Sequence, residues 1–461
     1  MLPPMRPHDP ETSMEFALME NQTKPSTPFY PSPPTVPDDI TPADQAIYVP
    51  AITPGFAKSV YAWTQGADHR ALPGGTKPGE LNILDPANGE FFRISHALTS
   101  AGLALNQNSP CIITERDKAR TKIFADSGGY QVASNKLVVQ SDADRERIMR
   151  WQEKFDICMT LDVPTGPLTK PGYNYRTFGD CLTATLTHLD FYEKNKKSST
   201  VWWLNVLQGN DQKQCDIWYQ QVRKRFRGHG WAFAGPLRHN FYQLLRRLIL
   251  MYQDGELQEK RWIHILGTSE LDTAVLLTAL QRALVAHMKL PIRISYDTSS
   301  PFRNLGWNQA YTLPTFDAET MTMPTSDAPD DPSYIGSPVR WPWPSPIGNR
   351  MVMGDFCVPK SQRSRRYRDV VSNHLLAHHN LYALCWGIAQ ANRVFDAENV
   401  THEHTIAEPV GFAAEAIEEV ISTRSLTLLD RQQFVFEGLR HGQFDYDSEA
   451  QRIDTDPGNV E

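Results

Sequence analysis

A (β/α)8 TIM barrel is the fold class that this sequence predicts, on three observations. Six strand-like apolar runs each end on a polar or glycine residue, or one step before it, and then give way to a helix. They are KIFAD ending at Asp126, ICMTLD at Asp162, VWWLNVLQ at Gln208, WAFAG at Gly235, WIHIL at Leu266 and IRISYD at Asp297. The ends lie 36, 46, 27, 31 and 31 residues apart, room for one strand and one helix each. The runs are also continuously apolar, as parallel strands buried on both faces are, and their alternation with helices implies a parallel α/β sheet. In such a barrel the carboxyl ends of the strands converge on one mouth. Three carboxylates and one amide, spread over 171 residues, would then meet in a single pocket.

The other segments follow in chain order. Residues 1–54 carry thirteen prolines and few aliphatic side chains. Such a stretch buries too little surface to offset its ordering entropy, so a largely extended or disordered arm is expected, with order beginning near residues 45–56. Residues 55–440 form the barrel domain with its insertions. One helix is expected around 94–104, then helices at 178–194, 212–225, 241–254 and 270–288. In the last, Leu277, Leu280 and Leu284 recur at helical spacing and should face the sheet. A Pro-rich stretch at 313–350, with PDDPSYIGSP and WPWPSP, reads as irregular. Helices at 372–392 and 408–422 make a C-terminal extension, and 441–461 an acidic tail.

Composition sets limits on function. With 461 residues, 40% hydrophobic content and 11 Trp, a sizeable core can be buried. The net charge of −7 argues against a general nucleic-acid coat but leaves room for a local basic patch. Six widely spaced cysteines form no disulfide framework, which points to a reducing interior. The opening MLPPMRPHDPETS has no apolar leader core, and no run of 18 apolar residues occurs. A soluble, cytoplasmic, non-membrane protein is expected.

Single motifs say little alone. In ADSGGYQVAS, Asp126 ends a strand, Gly128-Gly129 permits close backbone approach, and Tyr130 can lay a ring on a flat ligand; the plain alternative is a helix-capping Asp126. In YDTSSPFRNLG, Asp297 is placed as a nucleophile and Arg303 as an anion holder, or they are a cap and a surface cation. LDVP and LQGN put Asp162 and Gln208 at strand ends, where their acceptors and donors suit a purine edge. Either is equally a turn residue when read alone.

Together, DSGGYQ (126–131), LDVP (161–164), LQG (207–209), AGPL (234–237), ILG (265–267) and DTSSPFR (297–303) resemble, in kind and order, the motifs of the queuine and archaeosine tRNA-guanine transglycosylase superfamily. The resemblance covers about residues 90–310, with a fainter echo at HHNL (378–381). The tRNA enzymes carry a C-x-C-x-x-C cluster and a downstream His for structural zinc. Here only Cys357 and His379 stand near those places, and two ligands do not close a tetrahedral site. That departure, the DTSSPFR variant and the Pro-rich segments make the chain look most like the phage and bacterial DNA-guanine transglycosylases. The irregular stretch 313–371 would then replace the zinc subdomain.

By this resemblance, Asp297 is the nucleophile at C1′ of the target guanosine and Asp126 the base for the incoming 7-deazaguanine. Asp162, Gln208 and the Gly235 backbone would read the base, with Tyr130 and Leu266 on its two faces. Arg303 and the cations of PKSQRSRRYR (Lys360, Arg363, Arg365, Arg366 and Arg368) would meet the nucleic acid. No cofactor is implied. The implied partners are DNA, with tRNA as alternative, a free 7-deazaguanine base of the 7-cyano type, and a second copy of the chain; the setting is the bacterial cytoplasm. A tRNA enzyme without zinc, a non-catalytic partner subunit and a carboxylate-pair glycosidase are the competing readings.

Overall fold

Eight short parallel strands, buried on both sides, account for the apolar runs. The computed structural model describes residues 44–88, 91–197, 200–359, 367–401 and 407–439. The strands are β1 (Ile47–Pro50), β2 (His96–Ser100), β3 (Lys122–Asp126), β4 (Ile157–Met159), β5 (Trp202–Leu207), β6 (Gly230–Phe233), β7 (Trp262–Ile265) and β8 (Arg293–Thr298). They pair in parallel in the order β1-β8-β7-β6-β5-β4-β3-β2. A parallel bridge between Ala51 and Leu98, with the Ile52 amide donating to the Leu98 carbonyl at 2.9 Å, brings the two ends of the sheet together. The result is a TIM barrel.

The period-two alternation of strand side chains divides the core in two. Ile47, Val49, Leu98, Phe124, Ile157, Met159, Leu204, Val206, Ala232 and Trp262 fill the barrel interior. Their neighbours Ala97, Ile123, Cys158, Trp203, Trp231, Ile263 and Ile294 face outward into the layer shared with the helices. Leu277, Leu280 and Leu284 are buried in that outer layer.

Helices fall close to their expected positions: Phe178–Asn195, Gln212–Arg225, Phe241–Gln253 and Leu271–Met288. The starts of the first three are set by side chains that accept from exposed amides. Thr177 accepts from Asp180, Asp211 from Gln214, and Asn240 from Gln243. The C-terminal extension is Val370–Thr401 followed by Glu408–Thr423, and the latter packs on Leu271–Met288.

Three expectations are corrected. The helix read at 94–104 is strand β2 plus the single turn Ala101–Ala104, because barrel closure needs an eighth strand and overrides the helical propensity of its alanines and leucines. Residues Ile47–Pro50, assigned to the arm, supply β1 and pair with Ser295–Thr298 of β8. The irregular stretch contains Thr325–Asp327, which pairs antiparallel with Gln309–Tyr311. Residues 1–43 of the arm, and the acidic tail, lie outside the described residues. No helix among the described residues is long and apolar enough to cross a membrane.

Candidate active site

The strand parity that fills the barrel with apolar groups delivers polar ones at its upper rim. Continuing each inward series by two residues leads from Leu98 to Ser100, from Phe124 to Asp126, from Val206 to Gln208 and from Ser295 to Asp297. These four, with Asp162, Gly235, Leu266, Tyr130 and Arg238, line one cavity of about 190 Å³. It sits at the carboxyl ends of the strands, where barrel chemistry is done.

Asp126 ends β3 beside its register partner Ser100. Its Oδ2 accepts from the Ser100 hydroxyl at 2.8 Å and from the Gly128 amide at 3.0 Å. Burial raises its pKa; those two donors oppose the rise, and the charge of Asp297 adds to it. Gly128 has φ +91°, and a Cβ there would lie 2.8 Å from both the Gly102 nitrogen and Leu137 Cδ2. The glycine pair therefore splits its roles: Gly128 permits the turn, and Gly129 faces the cavity beside Asp162.

Asp297, on β8, has its Oδ1 held twice. The Gly267 amide donates to it at 2.9 Å, and His264 Nε2 lies 3.2 Å away. His264 is fully buried inside the barrel, and its other ring nitrogen is 2.7 Å from Ser295 Oγ, which also accepts from Trp262 Nε1 at 2.6 Å. Among the described residues Oδ2 of Asp297 makes no hydrogen bond within the protein.

Asp162 and Gln208 form the wall between. The Gln208 Nε2 donates to Asp162 Oδ2 at 2.8 Å, while the Gln208 Oε1 is buried with no partner among the described residues, close to Gly235. Burial pushes the Asp162 carboxyl up to about 7, against the pull of the Gln208 amide; the charge of Asp126 adds to the rise. Near neutral pH this group can present either a proton or a lone pair to a ligand.

All seven residues expected at the catalytic and base-reading site thus share one cavity. The nucleic-acid set does not gather in the same way. Arg303 lies beside Ser300, its Nη2 donating to the hydroxyl at 3.0 Å. Arg368 is only 4% exposed, and its Nη2 donates to the Leu305 carbonyl at 2.8 Å. That corrects its reading as a phosphate contact, because a guanidinium anchored inside the fold cannot also reach a backbone phosphate. Lys360, Arg363, Arg365 and Arg366 lie outside the described residues. Cys357 is buried, and both ring nitrogens of His379 are engaged, one with Ser345 Oγ and one with the Tyr311 carbonyl, each at 2.9 Å. His379 is thereby explained as an anchor of the Val370–Thr401 helix. No cluster of three or more His, Cys, Asp or Glu placed to hold a metal occurs among the described residues.

Sequence reading missed four lining or supporting groups. Ser100 was hidden in the segment read as a helix. Arg238 follows a glycine turn and carries no strand signal. Ser295 and His264 were legible, since a hydroxyl and an imidazole in the middle of buried strands need a partner inside the barrel.

Fold and site define a TIM barrel with a small, carboxylate-rich cavity at the carboxyl ends of its strands. No protein-family model matches this chain, and no curated protein matches it.

Proposed function

We propose that the chain is a base-exchange transglycosylase that replaces guanine in DNA with a 7-deazaguanine through a glycosyl-aspartate intermediate. The observation that carries this reading is the shared cavity: two carboxylates differently held, Asp126 and Asp297, with an Asp162–Gln208 pair on its wall. An oxygen of Asp297 attacks C1′ as the C1′–N9 bond breaks and its electron pair moves to N9. Asp126, whose pKa burial raises, is the group placed to give a proton to the departing N9. The incoming base then gives its N9 proton to Asp126 and attacks C1′, releasing the Asp297 carboxylate. Two displacements replace one difficult one. No redox change occurs, and no cofactor enters the balance.

Asp162 in its ionised form accepts from N1–H and the exocyclic amine of a guanine-like ring. The second proton on Gln208 Nε2 and the Gly235 amide suit its O6, and Tyr130 and Leu266 offer apolar surface for its faces. A duplex substrate must extrude the target nucleotide, which costs a few kcal/mol of unstacking.

The test offers radiolabelled guanine and 7-cyano-7-deazaguanine to the protein with duplex DNA and tRNA in parallel reactions. Incorporation into DNA is expected. Label in tRNA alone would overturn the choice of DNA, and label in neither would overturn base exchange.

A further inference from the structure

We infer that His264 is a positioning residue, an Nε2–H donor locked by Ser295 and Trp262, which ties down one oxygen of Asp297 and leaves the other to act. The inference follows from placing every proton in the chain Trp262–Ser295–His264–Asp297. Trp262 Nε1 is a donor only, so its 2.6 Å contact makes Ser295 Oγ an acceptor. At the far end, Asp297 Oδ1 already accepts from the Gly267 amide at 2.9 Å. An unprotonated Nε2 would face that oxygen lone pair to lone pair at 3.2 Å. The hydrogen therefore sits on Nε2.

In the neutral ring Nδ1 is then an acceptor, and the one proton available within 2.7 Å is the Ser295 hydroxyl's. All donors point the same way, from Trp262 through Ser295 and His264 to the carboxylate. Hydrogen bonds aligned in this sense polarise one another. A doubly protonated ring fits less well, because Ser295 Oγ would accept twice and its own hydrogen would lose this partner. The alternative tautomer fails at Asp297.

The consequence is asymmetry in the carboxylate. Oδ1 carries two donors, while Oδ2 has no protein partner among the described residues. Asp297 as a whole lines the cavity. The inference deepens the proposed reaction and rests on it for the identity of the attacking atom: Oδ2 is the oxygen that meets C1′. The fully buried ring of His264 makes no contact with substrate in this account. It acts through Asp297.

Nitrogen-15 spectroscopy of histidine-labelled wild-type protein, with the His264 resonances assigned by the loss of signals in His264→Gln, reads the tautomer directly. A pyrrole-like Nε2 and a pyridine-like Nδ1 are expected. A pyrrole-like Nδ1 with pyridine-like Nε2, or an imidazolium pattern, would overturn the inference. His264→Phe keeps the ring volume without the donor and is expected to lower kcat about 10- to 100-fold, with KM for nucleic acid unchanged. His264→Gln restores an N–H at the Nε2 place and should recover most of the loss. Wild-type kcat in His264→Phe would overturn the inference. Absence of exchange in the wild-type chain would remove the reaction alone, and the tautomer would still decide the proton chain.

Discussion

Three aspartates share the mouth, and their surroundings differ. Asp126 has a hydroxyl and an amide on a single oxygen, Asp162 has one side-chain amide, and Asp297 has an amide and an imidazole on Oδ1. Such unlike environments are how neighbouring carboxyls take different roles. Asp297→Ala is expected to abolish exchange and covalent trapping, measured by label transfer and denaturing electrophoresis. Asp126→Ala should lose exchange, at least 10²-fold, while nucleic-acid binding persists in a gel-shift assay. Unchanged turnover in either variant contradicts its role. Asp162 supplies a pH prediction. An ordinary Asp ionises near pH 3.9, whereas this one is pushed up to about 7. Between those values the folded chain holds a proton that the unfolded chain has released. Its contribution to stability is therefore full below about pH 4 and is lost as pH rises through about 7, on the order of 4 kcal/mol at most. Asp162→Asn should consequently melt higher than wild type at pH 8 while losing base recognition. In the wild type, KM for the free base should fall as pH rises through 7. A flat KM profile, or an Asn variant that melts lower at pH 8, would count against the assignment.

At the scale of strands and turns, the legible part of the fold was the part written in continuous apolar runs. β3, β5 and β8 end at or one residue beside Asp126, Gln208 and Asp297, so their rim residues could be read directly. β1 and β2 could not. Four residues in a Pro-rich stretch, and an Ala- and Leu-containing segment of helical character, become strands only because closing the cylinder pairs them with β8 and β3. Arg368 misled for a related reason: a basic run reads as exposed, whereas its carbonyl partner Leu305 lies 63 residues away in sequence. The local turn after β3 has its own test. Gly128→Ala must adopt φ +91° and push a methyl to 2.8 Å from the Gly102 nitrogen. A loss of about 1–3 kcal/mol in chemical unfolding is expected, together with reduced exchange, since the Gly128 amide holds Asp126. Wild-type stability in this variant would mean the turn is not constrained as described.

Across the whole molecule, the barrel brings to one rim residues that the chain keeps 171 positions apart, and its interior holds the hydrogen-bonded chain that ends on Asp297. The C-terminal helices add bulk on the flank of Leu271–Met288. His379 spends both ring nitrogens on protein partners. Elemental analysis of purified protein is accordingly expected to find well under one zinc per chain, and stoichiometric zinc would show that this anchor is rearranged. The proposed reaction turns on a covalent bond to one named carboxylate, Asp297. Acid-quenched reaction of the protein with a guanine-containing oligodeoxynucleotide, in the absence of incoming base, followed by peptide mass mapping, tests it most directly. A nucleic-acid adduct on the peptide carrying Asp297, absent from Asp297→Ala, is expected. An adduct on another residue, or ongoing exchange with no adduct at any quench time, would contradict it.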